Sequence, residues 1–424
     1  MRGSIALPMS MLAMSCCLAE SSLETHREES PQGSVIVEWN QLAYDIAFAE
    51  DQFTTFKGQR ALAMMHLAQH DALNTIARRF ESYAPKKRRV PQADPIATAA
   101  QAAREVLVAQ YPAAQGEIDA LLAQQLASRA DHPHRNNLGI ELGRVAAAAV
   151  LELRNKDGWE VAGAYEFVMV PGAYQTTPPW QGFVLHPGLA QAKPFMLRSA
   201  AQVRPPAPPS LASRAYARAL EEVKKFGALA SSARTNDQTA YAVWWMEFSE
   251  GLVNRFARRL ANERKLELWE AARLFALMNA ALVDTYVAVW DSKYEFNHWR
   301  PYTAIRRAAN DGNSWTQPDL QWESLRPAPP FPEYVSAHAA GCACTFAILA
   351  REFGRNMSLK LDSLTAPPGM PTRSFKSFRA AADECADSRV RLGFHFRYST
   401  DAGQKVGWRT ANYAMEHYLR RARE

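Results

Sequence analysis

Three short segments in the last third of the chain concentrate side chains that bind anions and transfer protons. They lie within residues 290–307, 331–350 and 387–403. Their cations, hydrogen-bond donors and histidines are Lys293, Arg300, Ser336, His338, Arg389 and His395. Three cations can hold a multiply charged oxyanion, and two histidines can supply a ligand or nucleophile and an acid–base group. The segments together predict a pocket in which a tetrahedral oxyanion undergoes chemistry.

The first segment predicts two cations on one helix. Lys293 and Arg300 are seven positions apart, which is about two helical turns, so both would lie on nearly the same face. Pro301 would then end or bend that helix. A lone pair of this kind is more often two exposed surface cations, so the segment indicates a site only together with the other two. His298, in the same segment, is predicted to be structural.

The other two segments predict helix ends beside the anion. Ser336 is a natural N-cap, and the N–H groups of the helix that it would begin form an anion site. An ordinary cap next to a half-buried histidine is the alternative. Arg389 and His395 are six positions apart and would point about 120° away from each other on one helix. Gly393 lies where an interruption would let them converge.

Amphipathic, alanine-rich stretches predict an all-α fold, because alternating strand patterns are almost absent. Predicted helices cover residues 39–53, 58–79, 95–109, 113–130, 136–156, 212–227, 235–262, 266–291, 337–353, 374–391 and 402–422. Residues 158–210, rich in proline, glycine and aromatic residues, are predicted to form an ordered loop over the helices. The predicted domains are an N-terminal helical domain, residues 20–230, and a C-terminal helical domain, residues 231–424, which carries the site.

The two halves of the chain contain a similar helix. The segments RALAMMHLAQHDALNTI (60–76) and RLFALMNAALVDTYVAV (273–289) are identical at five of seventeen positions. The identical pairs are Arg60/Arg273, Ala63/Ala276, Met65/Met278, Ala68/Ala281 and Asp71/Asp284. Accident is the alternative, since alanine-rich helices resemble one another by composition. The similarity nevertheless predicts two tandem units that resemble four-helix bundles, with the site confined to the second.

The N-terminus has the pattern of a secretory signal peptide. Arg2 precedes the apolar stretch IALPMSMLAMSCCLA, and a polar run follows Ala19. Residues 1–19 are therefore predicted to be cleaved on export, which would leave a secreted or periplasmic protein. Lipid modification at Cys16 or Cys17 stays open. No later segment approaches 18 uninterrupted apolar residues, so no membrane span is expected.

Composition and charge restrict the function further. With 48% hydrophobic and 22% charged residues, the chain has the composition of a soluble globular protein. A net charge of +6 suits an anionic ligand, but the positive charges are dispersed, so nucleic-acid binding is not expected. The remaining cysteines, Cys342, Cys344 and Cys385, are expected to be buried thiols rather than a disulfide framework or a zinc site.

Three motifs give the chain a family resemblance. They are Lys293-x6-Arg300-Pro301, Ser336-Ala337-His338 and Ser388-Arg389-x5-His395. They resemble the signature motifs of the superfamily of vanadium-dependent haloperoxidases and type 2 phosphatidic acid phosphatases. More loosely, the whole mature chain resembles bacterial vanadium haloperoxidase-like proteins. The resemblance implies an all-helical fold of two four-helix bundles. It also implies that vanadate is held by Lys293, Arg300, Ser336, the amide of Ala337 and Arg389, with His395 bonded to the vanadium.

Three positions, in two of the motifs, depart from the family's pattern. The usual Pro-Ser-Gly-His is Val335-Ser336-Ala337-His338 here, and the extra methyl of Ala337 crowds the pocket while its N–H remains available. The family's aspartate four residues after the last histidine is Ser399 here, and Asp401 lies two positions further on. The residue that orients His395 therefore stays open.

Vanadate and phosphate share charge and shape, so the motifs suit two reactions. A haloperoxidase would oxidise halide with hydrogen peroxide to hypohalous acid, or would halogenate a small organic substrate. Vanadium bound to His395 would act as a Lewis acid, and His338 would be the acid–base group. A soluble acid phosphatase would need no cofactor, and His395 would be the phosphorylated nucleophile. The chain length and the bulky Trp290 and Phe331 beside the motifs favour the haloperoxidase. A non-catalytic secreted helical binding protein is the third alternative, and a homodimer is compatible with each.

Overall fold

Thirteen α-helices, four short 3-10 helices and one pair of short strands form the regular structure of the residues that the structure describes. This computed structural model describes residues 32–51, 56–85 and 88–422. The helices are α1 (Ser34–Asp51), α2 (Lys57–Ile76), α3 (Pro95–Gln110), α4 (Gln115–Ala127), α5 (Pro133–Leu153), α6 (Arg214–Phe226), α7 (Asn236–Trp244), α8 (Ser249–Glu263), α9 (Leu268–Phe296), α10 (Pro301–Arg306), α11 (Ala337–Phe353), α12 (Phe378–Arg391) and α13 (Arg397–His417). The strands β1 (Leu359–Asp362) and β2 (Thr372–Phe375) pair antiparallel. The prediction of an all-α fold is confirmed, whereas the predicted signal peptide, with Cys16 and Cys17, lies outside the described residues.

The prediction of one helix over residues 235–262 is wrong. α7 ends at Trp244 and α8 begins at Ser249. Between them, the Trp245 carbonyl accepts a hydrogen bond from Arg389 Nη1 at 3.0 Å, so it does not continue the helical ladder. β1 and β2 were also not predicted, because a strand of four residues gives too little alternation to recognise.

The prediction that Lys293 and Arg300 share one helix is also wrong. α9 continues past Lys293 to Phe296, and Asn297 ends it in the left-handed conformation, with φ of 45°. Arg300 then has extended backbone and is the N-cap of α10, which begins at Pro301. The two cations are thus carried by different elements, and the turn at Asn297 brings them to one site.

α9 is the central helix of the core. It packs against α2, α11 and α13, and both halves of the chain contribute to the same hydrophobic cluster. Within the described part of the chain, α9 alone has the length and apolar composition to cross a membrane, and almost all of it is buried inside the fold. A helix buried in a protein core has the same all-round hydrophobicity, so its composition gives no indication of a membrane span.

The packing around α2 is repeated around α9. α3 and α5 pack against each other and against α2, as α11 and α13 pack against each other and against α9. α4 contacts α3 as α12 contacts α11, and α1 packs against α8. This arrangement agrees with two related helical units. Their superposition, and a domain boundary near residue 230, stay predictions.

The repeated aspartates of α2 and α9 have the same kind of contact. Asp71 accepts hydrogen bonds from the backbone N–H groups of Tyr83 and Ala84, at 2.7 and 2.6 Å. Asp284 accepts three from the long loop, with distances of 2.5 to 2.7 Å. Their donors are the N–H groups of Phe195, Met196 and Leu197. Each aspartate therefore attaches a loop to its helix, which gives the identity at these positions a structural reason.

Glycines allow close packing of α5 on α3 and of α13 on α11. A Cβ on Gly139 would lie 2.7 Å from the carbonyl oxygen of Asp94, and a Cβ on Gly403 would lie 2.4 Å from that of Ser336. Both distances are too short for a side chain. One turn further on, a second glycine repeats this close approach in each helix. These glycines are Gly143 and Gly407.

Asp94 and Ser336 begin α3 and α11 in the same way. Each is the N-cap, and its side chain accepts a hydrogen bond from the N–H three residues later. The N–H of Asp94 donates to the carbonyl of Arg135, and that of Ser336 donates to the carbonyl of Ser399. The two residues therefore occupy corresponding positions in the two units. They differ in charge, since the buried carboxylate of Asp94 forms an ion pair with Arg129 at 2.8 Å.

Cys342 and Cys385 form a disulfide that joins α11 to α12. The expectation of buried thiols is wrong for this pair, because the packing of the two helices brings together cysteines that are 43 positions apart in sequence. Cys344 is a free, buried thiol, as expected. Both bonded sulfurs and a ring nitrogen of His338 lie within 4.8 Å of one another, so the disulfide lies beside a predicted site residue.

The predicted long loop, which connects α5 to α6 in the chain, packs over α9. Its regular structure consists of two short 3-10 helices, Pro187–Gln191 and Ala200–Val203. The N–H of Leu185 donates to the carbonyl of Pro330 at 2.8 Å, and the carbonyl of Leu185 accepts from the Tyr294 hydroxyl at 2.9 Å. These bonds attach the loop to the segment that precedes α11 and to α9.

Candidate functional site

The three sequence motifs lie at helix ends that meet in space. Lys293 lies in the last turn of α9, Arg300 before α10, Ser336 and His338 at the start of α11, Arg389 in the last turn of α12, and His395 before α13. Gly393, with φ of 80°, provides the predicted interruption between α12 and α13. Nε2 of His298 lies 2.7 Å from the hydroxyl oxygen of Tyr398, and this contact agrees with the predicted structural role of His298.

A buried carboxylate holds His395. Nδ1 of His395 lies 2.8 Å from Glu333 Oε1, and the side chain of Glu333 is completely buried. The Ser399 hydroxyl is more distant, 3.4 Å from Nδ1. A carboxylate acceptor keeps the proton on Nδ1 and leaves the Nε2 lone pair available as a ligand or nucleophile. Glu333, rather than Ser399 or Asp401, thus orients His395.

Burial and nearby cations keep His395 neutral. Burial, then Arg300, Lys293 and Arg389, lower the pKa of His395 well below its ordinary value. Burial raises the pKa of Glu333 to about 7, against the opposing effect of Arg300 and Lys293. Glu333 Oε1 accepts two hydrogen bonds, from the His395 ring and from a backbone N–H. Since donors to a carboxylate favour its charged form, these two bonds oppose the effect of burial on Glu333, while the lowered pKa of His395 keeps its ring neutral.

Two buried arginines have N–H groups available for an anion. Arg300 donates from Nε to the carbonyl of Phe331 and from Nη1 to that of Phe394, both at 3.0 Å. Its Nη1 also lies 3.2 Å from His395 Nε2. Among the described residues, no partner reaches Nη2 of Arg300 or Nε of Arg389. An unpaired buried donor is unfavourable, and an oxyanion that accepts from both would remove this cost.

His338 lies in the first turn of α11 beside Arg389. The described part of the chain offers no partner to its buried Nε2. Burial, and then the charge of Arg389, lower the pKa of His338 well below its ordinary value. Two residues earlier, the Ser336 hydroxyl accepts from the N–H of Ala339 at 3.4 Å. The first N–H groups of a helix, here beginning at Ala337, have no intrahelical acceptor, so they are available to an anion.

Lys293 supports the segment that leads into α11. Its Nζ donates to the carbonyls of Pro332, Glu333 and Val335, at 2.8, 3.1 and 2.6 Å. These three acceptors match the three N–H bonds of a protonated ammonium group. Burial and the charge of Arg300 lower the pKa of Lys293 well below its ordinary value, and Glu333 opposes them. Direct donation from Lys293 to an oxyanion stays a prediction.

A cavity of about 290 Å³ gives access to the motif residues. Trp290 and Phe331, which the sequence predicted as apolar neighbours, line it with ring centroids 4.9 Å apart. The other predicted site residues that line it are Ala337, His338, Arg389 and His395. Lys293, Arg300 and Ser336 are completely buried. The sequence motifs thus come together around one cavity.

The sequence interpretation missed several residues of the site. Glu333 is the most important of them, and a lone carboxylate three positions before Ser336 in an apolar segment was the available signal. Phe56, Trp180 and Leu185 also line the cavity. No sequence pattern connects these residues with the motifs, because they approach the site from the first half of the chain.

Comparison with known proteins agrees with this geometry. Residues 273–424 match the family model described as the VCPO second helical-bundle domain. The vanadium chloroperoxidase of Curvularia inaequalis is 27% identical over 236 residues, which are 42% of this chain and 39% of that protein. The match thus spans about two fifths of the length of this curated relative.

Solved structures share the fold over most of the chain. A bacterial vanadium-dependent iodoperoxidase matches with a TM-score of 0.77 and 23% identity, covering 92% of this chain and 98% of that chain. A holo-type bacterial vanadium-dependent chloroperoxidase matches with a TM-score of 0.69 and 19% identity, covering 86% and 91%. These matches confirm the resemblance inferred from the three motifs. The chain carries a VCPO-type second helical-bundle domain at residues 273–424 and has the fold of the vanadium-dependent haloperoxidases.

Proposed function

We propose that this protein is a vanadium-dependent haloperoxidase that oxidises a halide with hydrogen peroxide to hypohalous acid. The observation that carries the proposal is the neutral imidazole of His395, which Glu333 holds at Nδ1 while Nε2 lies beside a buried arginine. Nε2 of His395 would bind the vanadium of vanadate. The groups that would bind its oxygens are Lys293, Arg300, Ser336, the amide of Ala337 and Arg389.

The residues of the site fit a tetrahedral oxyanion. Four buried polar atoms of the site have no partner among the described residues, namely Arg300 Nη2, Arg389 Nε, His338 Nε2 and the acceptor Glu333 Oε2. The three cations Lys293, Arg300 and Arg389 outnumber the two carboxylates, Glu333 and Glu250, so the site has an excess of positive charge. Unpaired donors and excess positive charge in a buried site both favour an anion.

The side chains would have separate roles in the reaction. Bound vanadate would supply a Lewis acid that activates peroxide without changing its own oxidation state. The arginines would bind and orient the anion, and Glu333 would keep the proton of His395 on Nδ1. His338, which is neutral before the anion binds, would accept a proton from hydrogen peroxide and later return it. The apolar walls of the cavity would limit the access of water.

A soluble phosphatase is the second candidate, because the same His395–Glu333 pair favours it. A neutral imidazole with its proton fixed on Nδ1 is also the form that attacks phosphorus through Nε2. His338 would then protonate the leaving alcohol. Both candidates use the same groups, so only an assay separates them.

The test is bromination of phenol red by hydrogen peroxide with metal-stripped protein, with and without orthovanadate, beside hydrolysis of p-nitrophenyl phosphate. We expect bromination that requires vanadate and falls when phosphate competes for the same cations. Peroxide-independent hydrolysis that traps phosphate on His395 would favour the phosphatase instead. Absence of vanadate uptake and of both activities would favour the non-catalytic binding protein.

We also propose that residues 1–19 are removed on export and that the mature protein is secreted or periplasmic. The support is the charged and apolar pattern of the N-terminus together with the Cys342–Cys385 disulfide, because disulfides persist in oxidising compartments. N-terminal sequencing of the protein from its natural host should begin near residue 20. Retention of Met1 on a cytoplasmic protein would contradict the proposal.

A further inference from the structure

A groove between α11, α12 and α13 lies apart from the anion site. Its volume is about 290 Å³, and it shares no lining residue with the cavity that contains His338 and His395. Along α11, Ala350 in the groove is twelve positions after His338, which corresponds to about 18 Å at the rise of an α-helix. The groove is therefore a second and separate place at which a small molecule could bind.

Small side chains of α11 form the floor of the groove. Ala347 and Ala350 are three positions apart, so they lie on one face of the helix, and both are half-buried. Trp408 and Met415 of α13, which are also half-buried, border them. Seven of the eleven lining residues are apolar, so an apolar group that displaces water from this floor would bind favourably.

The rim of the groove is cationic. Arg351, Arg355 and Arg379 line it, and none of the described residues that line it is acidic. Arg379 is held by Asp383, at 2.9 and 3.1 Å, and its guanidinium lies 3.9 Å from the centre of the Trp408 ring. By contrast, the guanidinium groups of Arg351 and Arg355 have no hydrogen-bond or ion-pair partner among the residues that the structure describes. The groove thus carries positive charge that the described chain does not neutralise.

Two neutral donors complement the arginines. The indole N–H of Trp408 and the side-chain amide of Asn412 line the groove, and neither has a hydrogen-bond partner in the described part of the chain. Asn412 is four positions after Trp408, about one helical turn, so both lie on the same face of α13. A carboxylate accepts several hydrogen bonds and carries the opposite charge. It therefore matches the rim, while the floor matches an apolar body.

We propose that the groove binds an aromatic carboxylate of one or two rings, with the rings on the alanines and Trp408 and the carboxylate at Arg351 and Arg355. The volume of the groove lies near the lower end, about 300 Å³, of the range for small-molecule sites, which suits such a compound better than a peptide. The indole of Trp408 favours an aromatic body, because rings gain from stacked and edge-to-face contacts. The arginines would repel a cation. This binding site does not rest on the proposed haloperoxidase function.

Binding is tested by calorimetric titration of the full protein with 2-naphthoate and with 2-naphthamide, which has the same rings without the charge. We expect 2-naphthoate to bind at least tenfold more tightly. Arg351→Gln/Arg355→Gln should remove this preference and leave the affinity for 2-naphthamide unchanged. Arg218→Gln/Lys193→Gln, at exposed positions outside the groove, also removes two charges and should bind both compounds as the parent does.

A variant that fills the groove shows where the compounds bind. Ala350→Trp should weaken the binding of both compounds at least tenfold, and Ala347→Phe replaces it should thermal unfolding show that the first variant does not fold. Neither position lines the cavity of the anion site. Binding of 2-naphthoate that survives in the filled variant would place it elsewhere, such as at Arg389, and would overturn the proposal. Equal affinity of the parent for the two compounds, or binding of neither, would overturn it as well.

Discussion

At the scale of single residues, the reactivity of His395 depends on where its proton lies. Glu333 accepts that proton's hydrogen bond at Nδ1 and is itself held by the segment that Lys293 binds through three carbonyls. Lys293 therefore acts on His395 through Glu333, in addition to any direct contact with an anion. A change at Glu333 should thus alter anion binding without removing any positive charge.

Glu333→Gln should lower vanadate affinity or vanadate-dependent bromination by about 10- to 100-fold, the usual effect of losing the group that orients a metal-binding histidine. Glutamine can donate as well as accept, so it no longer fixes the proton on Nδ1. Glu333→Asp retains a carboxylate and should recover part of the loss. Vanadium content after dialysis and the rate of bromination would be measured on both variants, with thermal unfolding as the check on folding. Glutamine and aspartate variants with equal affinity for vanadate would show that Glu333 has only a packing role.

Alanine variants of the two site histidines should lose different properties, namely vanadium retention and the rate of bromination. His395→Ala removes the proposed ligand atom for vanadium, so the anion would be held by charge alone and lost on dialysis. His338→Ala leaves every proposed vanadate-binding group in place and should retain vanadium, but bromination should fall by about 10²–10⁴-fold, the usual contribution of general acid–base catalysis. Equal vanadium retention by the two variants, or near-normal bromination by the His338 variant, would contradict these roles.

At the scale of helices and loops, the Cys342–Cys385 disulfide connects the two helices whose ends carry His338 and Arg389. Each cysteine lies four positions, about one helical turn, from one of these residues. The disulfide therefore fixes the separation of α11 and α12 directly behind the anion site.

Reduction of this disulfide should destabilise the protein and weaken its anion site together. Closure of a loop of this size contributes about 3–4 kcal/mol to the free energy of unfolding in the chain-entropy description. Denaturant unfolding would be compared for the oxidised protein, the reduced protein and Cys342→Ala/Cys385→Ala, with vanadate affinity measured on each. Cys344→Ala, which changes a free buried thiol in the same helix, is the matched control. An oxidised protein no more stable than the reduced one would refute this role.

The helices and motifs could be predicted from the sequence more completely than the connections between them. The long apolar periodicity of α9 and the capping residue Ser336 identify their helices locally. By contrast, the left-handed Asn297, which separates Lys293 from Arg300, depends on packing against distant segments. The same holds for Glu333, whose function appears only when its segment meets the start of α13. The sequence therefore identified which residues form the site better than it identified how they are held.

At the scale of the whole molecule, the two predicted helical units have similar contacts between their helices but differ in chemistry. Asp94 and Ser336 begin corresponding helices, and glycines of α5 and α13 approach their carbonyl groups in the same way. Where the second unit has an uncharged hydroxyl and buried cations, the first has a carboxylate paired with Arg129. Only the second unit thus has a surplus of positive charge at this position.

Asp94→Ser should leave Arg129 of the first unit without its counter-ion, so that an external anion can bind there. Serine can still cap α3, but Arg129, whose side chain is partly exposed, would lose its partner, and we expect a loss of about 1 kcal/mol in the free energy of unfolding, the upper value for a solvated ion pair. Added phosphate should restore part of this loss, so the melting temperature of the variant should rise more with phosphate than that of the parent. Asp94→Ser/Arg129→Met lacks the cation and should not respond in this way. The same phosphate dependence in parent and single variant would contradict the prediction.

The carboxylate of Asp94 has a consequence for stoichiometry. A counter-ion attached to the chain is present at a high effective concentration and does not diffuse away, so dissolved oxyanions compete poorly with it. The first unit therefore remains neutral at this position whatever the phosphate or vanadate concentration of the surroundings. For the proposed haloperoxidase we therefore expect a loading of one vanadium atom per polypeptide rather than two.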